Sequence, residues 1–299
     1  MEFRQLRYFL TVAETLHFTE AAEKIGIAQP PLSQQIQKLE REIGTKLFIR
    51  HKRHVELTEA GHFFREKAAK ILADSENALM QIKKVARGET GHLSIGFAGS
   101  TVFHPFVASA MREFRKHYPD VEIHTCESNS IDLMPMVKES EIDCALVRLP
   151  LHIEGLSHLP LVEEPMIAVL PSEHVLANEK TISLTQLSKD SFITFPRGIG
   201  PELYDSIMKA CHEAGFEPKI GMESPQISSS INLVAAGFGV ALIPESLKSI
   251  HADGVTYHDI AQPMTTALGL IFREHEKSVV IQNFVKMLLM NRGEKERAE

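Results

Sequence analysis

Apolar residues in the first ninety positions recur at steps of three and four, the spacing that lines one face of a helix. Phe3, Leu6, Phe9, Leu10 and Ala13 predict a first helix over residues 2–16. Ala21, Ala22 and Ile25 predict a short second one, with Thr19 at its N-cap, Glu20 and Glu23 favoured in its first turns by the helix dipole, and Gly26 ending it. Pro30 and Pro31 suit the first turn of a helix and no later one, so a third helix begins there, with Leu32, Ile36 and Leu39 as its buried stripe. Thr58 then caps a long helical pattern reaching about Arg87. Within it Phe64, Ala68, Ile71, Ser75, Ala78, Ile82 and Val85 alternate steps of four and three, the seam of a coiled coil. A rod of about 45 Å is too long to bury against so small an N-terminal domain, which predicts pairing with the same helix of a second copy.

Gly88 and Gly91 break that helix, and the pattern changes. From residue 92 short apolar runs alternate with helical ones: LSIGFA, FVASAMREFRKHY, VEIHTC, IDLMPMVKES, DCALVR. This alternation predicts βαβ units with a parallel sheet. A second series starts with MIAVLP at 166–171 and continues through SFITF at 191–195, a helix around 201–214, INLVAAG at 231–237 and VALIP at 240–244. ALGLIF at 267–272 and a helix from about 278 to 290 close the chain.

The polar side of the third helix carries the first candidate chemistry. Gln29, Ser33, Gln34, Gln37 and Lys38 lie opposite its apolar stripe, next to Pro30 and Pro31 at its start. Glutamine pairs bidentately with adenine, serine bonds base edges or phosphates, and a helix N-terminus attracts phosphate. An ordinary helix pair with a solvated face has the same outline. The following KLFIRHKRH run tips the balance: Arg50, Lys52 and Arg53 sit in a stretch with no acid between Glu42 and Glu56, a basic hairpin suited to a phosphate backbone. A net charge of −7 argues against a nucleic-acid partner until its distribution is considered. Residues 1–90 hold 15 Lys+Arg against 12 Asp+Glu, and the remainder 17 against 27, so only the N-terminal end is suited to DNA.

These residues carry a family resemblance. RQLRYFLTVAE at 4–14, FTEAAEKIGIAQPPLSQQIQKLEREIGTKLFIR at 18–50 and ELTEAGHFF at 56–64 resemble the winged helix-turn-helix of the LysR-type transcriptional regulators, most closely the branches governing catabolism of aromatic acids or acetoin. The resemblance implies an α+β multidomain protein: a winged helix-turn-helix over 1–58, with Thr19 among its DNA contacts; a linker and dimerisation helix over 59–90; and a two-lobed α/β effector-binding domain over 91–299 resembling type 2 periplasmic binding proteins. Lobe one would hold 92–164 and 267–299, and lobe two 165–266. Gln34 departs from the family, where many members place arginine, so the base preferred at that contact stays open.

In open α/β sheets ligands bind beyond the C-terminal ends of strands. LSIGFA runs into Ser100 and Thr101, and VEIHTC into Ser128, Asn129 and Ser130; in the second series Ile199, Gly200 and Pro201 open a helix and Ser228 precedes another. Each is also an ordinary helix cap, but together they suit a small carboxylate. The resemblance carries Ser100, Ser130 and the 199–201 turn onto inducer contacts of carboxylate-responsive branches, and Arg148 onto a position near a second effector pocket; Arg148 is equally suited to a structural ion pair.

Exclusions narrow the reading. The chain has no G-x-S-x-G elbow, P-loop or H-E-x-x-H, so neither an enzyme nor a cofactor or metal is indicated. Cys126, Cys144 and Cys211 show no ligand-like spacing and read as buried reduced thiols, although the peroxide-sensing branch of the family the chain resembles uses an effector-domain cysteine pair, so a redox role stays open. No apolar run approaches a membrane span, and the amphipathic N-terminus with Glu2, Arg4 and Arg7 does not read as a signal peptide, which predicts a cytoplasmic protein. The expected partners are double-stranded operator DNA, a small organic-acid effector, further copies of the chain as a dimer and a tetramer, and RNA polymerase.

Overall fold

A computed structural model of the chain describes residues 1–51, 54–151 and 154–295. The chain divides into two compact units, Met1–Lys84 and Val85–Glu299.

The first unit holds α1 (Phe3–Thr15), α2 (Phe18–Ile25), α3 (Gln29–Ile43), the hairpin β1 (Phe48–Arg50) and β2 (Val55–Leu57), and most of α4 (Glu59–Ala86). Its core unites Leu6, Phe9, Val12, Ala21, Leu32, Ile36 and Leu39 with Leu47, Phe48 and Val55 of the hairpin. Gly26 ends α2 at φ 78°, a left-handed turn that glycine adopts without steric cost. The N-cap of α2 corrects an expectation: His17, not Thr19, holds that place, its Nδ1 accepting from the Glu20 N–H at 3.4 Å. Phe18 must point into the core, edge-on to Phe48 at 5.9 Å, and this starts the helix one residue before Thr19.

Thr58 does cap α4, its hydroxyl accepting from the Gly61 N–H at 2.9 Å. Gly61 is required by proximity, because a Cβ there would lie 2.1 Å from the Leu47 carbonyl oxygen. The apolar seam along α4 is divided. Ala68 is fully buried in the domain's own core, and Phe64 packs edge-on against Phe9 at 4.9 Å. Farther along, Leu79, Met80, Ile82 and Val85 are 56–65% exposed. One side of α4 as far as Leu72 thus belongs to the domain itself, while Phe63 and the distal residues present uncovered apolar surface.

The second unit is a two-lobed α/β structure. In the first lobe β3 (Thr90–Ala98) lies parallel to β4 (Asp120–Ser128) and β5 (Cys144–Leu149), connected by α5 (Pro105–His117) and α6 (Ser130–Lys138). The long β6 (Leu156–Pro171) leaves this lobe for the second, which adds β7 (Thr181–Ile182), β8 (Ser191–Thr194), α7 (Pro201–Glu213), β9 (Lys219–Glu223), α8 (Ser230–Ala235), β10 (Ala241–Pro244) and β11 (Val255–Ile260). The chain returns on β12 (Thr265–Arg273), and α9 (Val279–Lys295) is the last element of the described residues.

The main sheet is mixed rather than wholly parallel. β12 runs antiparallel to both β5 and β6, while β6 continues past it to pair antiparallel with β10 and β11. An outgoing and a returning strand that lie side by side must run in opposite directions, and the βα alternation alone does not show this. One lobe core forms around Ile95, Phe106, Phe114, Leu268 and Phe284, the other around Leu170, Leu184, Phe192, Ile207 and Leu242.

Candidate functional site

In the N-terminal unit the solvent side of α3 presents Gln29, Pro30, Pro31, Ser33, Gln34, Gln37 and Lys38, all partly or fully exposed, while Leu32, Ile36 and Leu39 are buried. Thr19 is exposed in the first turn of α2. Arg50 on β1 reaches across to this surface: its Nη1 donates to Ser33 Oγ at 2.9 Å, and its guanidinium lies 4.6 Å from the centre of the Phe18 ring. Lys38 faces Glu2 at 3.7 Å and Glu42 at 4.0 Å. Lys52 and Arg53 lie outside the described residues.

The hairpin is tied to α3 by a group with no signature in the sequence. Glu40, only 2% exposed in its side chain, accepts from the Leu47 N–H at 2.9 Å and the Phe48 N–H at 3.2 Å, and pairs with Lys46 at 3.2 Å. Its carboxylate satisfies two buried donors where the chain turns from helix to strand.

In the second unit a cleft opens between the lobes at the C-terminal ends of β3, β4 and β5. Its first wall holds Gly99, Ser100, Asn129, Ser130 and Arg148, followed by Leu149, Pro150 and Leu151; its second holds Phe195, Ile199, Gly200, Glu202, Leu203, Gln226 and Ile227. Four anticipated residues stand off these walls. Thr101 is buried and donates to the Leu146 carbonyl at 3.3 Å, Ser128 bonds Asp132 at 3.3 Å, and Pro201 and Ser228 stand next to lining residues without lining the cleft. The apolar lining from 149 to 151 and the Gln226–Ile227 segment were not anticipated, although Leu149 directly follows a strand-end arginine.

Arg148 organises the polar floor. Its Nε donates to Ser100 Oγ at 3.0 Å, Nη2 reaches the Ser100 carbonyl and Ser246 Oγ at 3.4 Å each, and Nη1 bonds Glu164. Glu164 also accepts from the Ser246 N–H at 2.7 Å, so the network runs from the cleft wall through β6 to the second lobe. Burial pulls the Arg148 guanidinium below its ordinary pKa, and the adjacent Glu164 carboxylate opposes that pull. Ser100 Oγ, accepting from arginine, keeps its proton for another acceptor. Ser130, buried at the first position of α6, makes no side-chain hydrogen bond to any described residue.

Residues 3–62 match the family described as bacterial regulatory helix-turn-helix protein, lysR family, and residues 86–292 match the LysR substrate binding domain. The chain belongs to the LysR family of transcriptional regulators. It is similar to the transcriptional regulator BudR of Raoultella terrigena, 43% identical with 96% of this chain and all of that one covered. It is also similar to CatR of Pseudomonas putida, 35% identical over 96% of this chain and 98% of that one. Full-length CbnR in complex with its target DNA superposes with a TM-score of 0.85 at 25% identity, covering 98% of this chain and 100% of that one.

As a LysR-type regulator the chain is a DNA-binding protein with an effector-binding domain, not an enzyme. No described helix is long and apolar enough to cross a membrane. The three thiols are unpaired; burial raises the pKa of Cys126 and Cys144 and pushes Cys211 up to about 11, so all favour the neutral form.

Proposed function

We propose that this regulator reads its operator through the exposed polar face of α3 and the β1–β2 wing, and that a small organic or aromatic carboxylate in the cleft between the lobes controls it. The observation that carries the effector reading is the Ser100–Ser130 floor: two buried hydroxyls able to donate, beside an arginine already neutralised by Glu164. A single carboxylate satisfies such donors, and Leu149, Phe195, Ile199, Leu203 and Ile227 are suited to an apolar body. Because the Arg148–Glu164–Ser246 network joins the cleft wall to the other lobe, a ligand at Ser100 biases the arrangement of the lobes by its differential affinity for each.

The same reading includes self-association through the exposed distal part of α4, with Leu79, Met80, Ile82 and Val85 as its apolar surface, and a tetramer built from two such pairs. Two recognition helices on one frame then read paired half-sites. The regulator acts in the cytoplasm, beside RNA polymerase, on nearby metabolic genes and its own.

The effector test is a footprint of the full chain on the DNA upstream of its gene, repeated with a panel of aliphatic and aromatic carboxylates. One acid is expected to shift the protected region, and Ser100→Ala to abolish that shift while retaining operator binding. A normal shift in the variant removes Ser100 from the effector site. Gln29→Ala and Ser33→Ala are each expected to weaken specific operator binding by about 1–3 kcal/mol, with effector affinity unchanged. Gel-shift titrations against operator and random DNA read this directly; equal losses on both would make the contacts phosphate-directed.

A further inference from the structure

The outer face of the wing carries a side-chain cluster that neither DNA recognition by α3 nor the effector cleft uses. In the β1–β2 register Ile49 faces Glu56 and Arg50 faces Val55, and the His51 N–H donates to the His54 carbonyl at 3.0 Å, which makes His51 and His54 the next cross-strand pair. Side chains alternate across a strand, so Phe48 and Val55, which are buried, share one face with the exposed Arg50 and half-buried Leu57, and His51, His54 and Glu56 share the other, solvent-exposed face. The two imidazoles stack with centroids 4.4 Å apart and planes 16° apart. Both direct Nε2 at one carboxylate oxygen: Glu56 Oε1 lies 2.9 Å from His54 and 3.6 Å from His51.

We propose that His51, His54 and Glu56 form a site for a divalent transition metal ion of the zinc type. Two imidazole nitrogens and a carboxylate oxygen are the donor set that zinc, nickel and copper favour. Their ligand atoms all lie within 4.8 Å of one another. Ligands about 2.0–2.2 Å from a tetrahedral ion stand roughly 3.3–3.5 Å apart, so binding needs side-chain adjustments of an ångström or less on a hairpin whose register already holds the three together. The remaining coordination positions face solvent and take water. The ion would add two positive charges to the strand pair that carries Arg50, strengthening attraction to DNA phosphates.

Calorimetric titration of the untagged full chain with Zn²⁺, with Co²⁺ absorption as a second readout, tests the site. One equivalent is expected to bind in the micromolar range, with affinity weakened about tenfold or more by His54→Ala and by Glu56→Gln and unchanged by His92→Ala, an exposed histidine elsewhere in the chain. All three ligands are exposed, so circular dichroism should show the variants folded. Absence of Zn²⁺ binding, or binding that survives His51→Ala/His54→Ala, overturns the site. Operator affinity should rise several-fold in Zn²⁺ over chelator for the natural chain and stay constant for the double variant. Equal affinities for the natural chain overturn the link to DNA.

Discussion

Glu40→Ala is expected to destabilise the N-terminal domain by about 3–5 kcal/mol and to lower operator affinity with it. The alanine removes the acceptor shared by the Leu47 and Phe48 amides, at 2.9 and 3.2 Å, in a region closed to water. Each orphaned buried donor costs about 1–3 kcal/mol, and a charged acceptor is lost as well. The damage extends to recognition because Phe48 begins the strand that carries Arg50, and Arg50 bonds Ser33 on α3. Glu40→Gln, which keeps an amide oxygen as acceptor, should lose roughly half as much. Lys46→Ala removes only a cation that is 72% exposed and should cost under about 1 kcal/mol. Urea unfolding followed through the N-terminal domain, with gel shifts in parallel, separates the three variants. Equal effects of Glu40→Ala and Lys46→Ala would mean that the ion pair, rather than the backbone bonds, holds the hairpin.

The second large effect is expected at the lobe crossing. Glu164→Ala leaves the Arg148 guanidinium buried without its counter-charge, a situation that typically costs about 3–5 kcal/mol. For an effector domain of this size that lowers its thermal midpoint by roughly 10 °C. The Ser246 N–H, which donates to Glu164 at 2.7 Å, loses its acceptor too. Replacing both partners, Arg148→Met with Glu164→Leu, should recover most of the loss, because an apolar pair carries no desolvation cost. The double variant should nevertheless respond poorly to effector, since Ser100 loses the donor that orients its hydroxyl. Calorimetry of the four-member cycle measures the coupling. Additive single losses would show that water already screens the pair and would contradict its burial.

Much of this architecture was legible in the chain because its signals are local. A helix-turn-helix is written within a few turns, in Leu32, Ile36 and Leu39 on one side of α3, Gln34 and Gln37 on the other, and Gly26 at the break. The alternation of short apolar runs with helical ones likewise indicates an α/β domain, whose division into two lobes is what the family resemblance implies, and the strand-end positions of Ser100 and Ser130 point to the cleft they line.

Local periodicity thus sets the type of most elements and the polarity of their faces, since the 3.6 and 2.0 residue periods act between near neighbours. Which charges meet depends on the assembled fold. Glu40 reads as one more acid on a helix until the returning chain brings the Leu47 and Phe48 amides to it. Arg148 has an uncertain role until β12 aligns β5 with β6 and Glu164 comes within reach. Phe64 and Ala68 join a coiled-coil seam in the sequence but a domain core in space. His51, His54 and Glu56 share a face only once the hairpin register is set. Such pairings depend on strand order and register, which arise from burial summed over the whole domain and leave no local period to read.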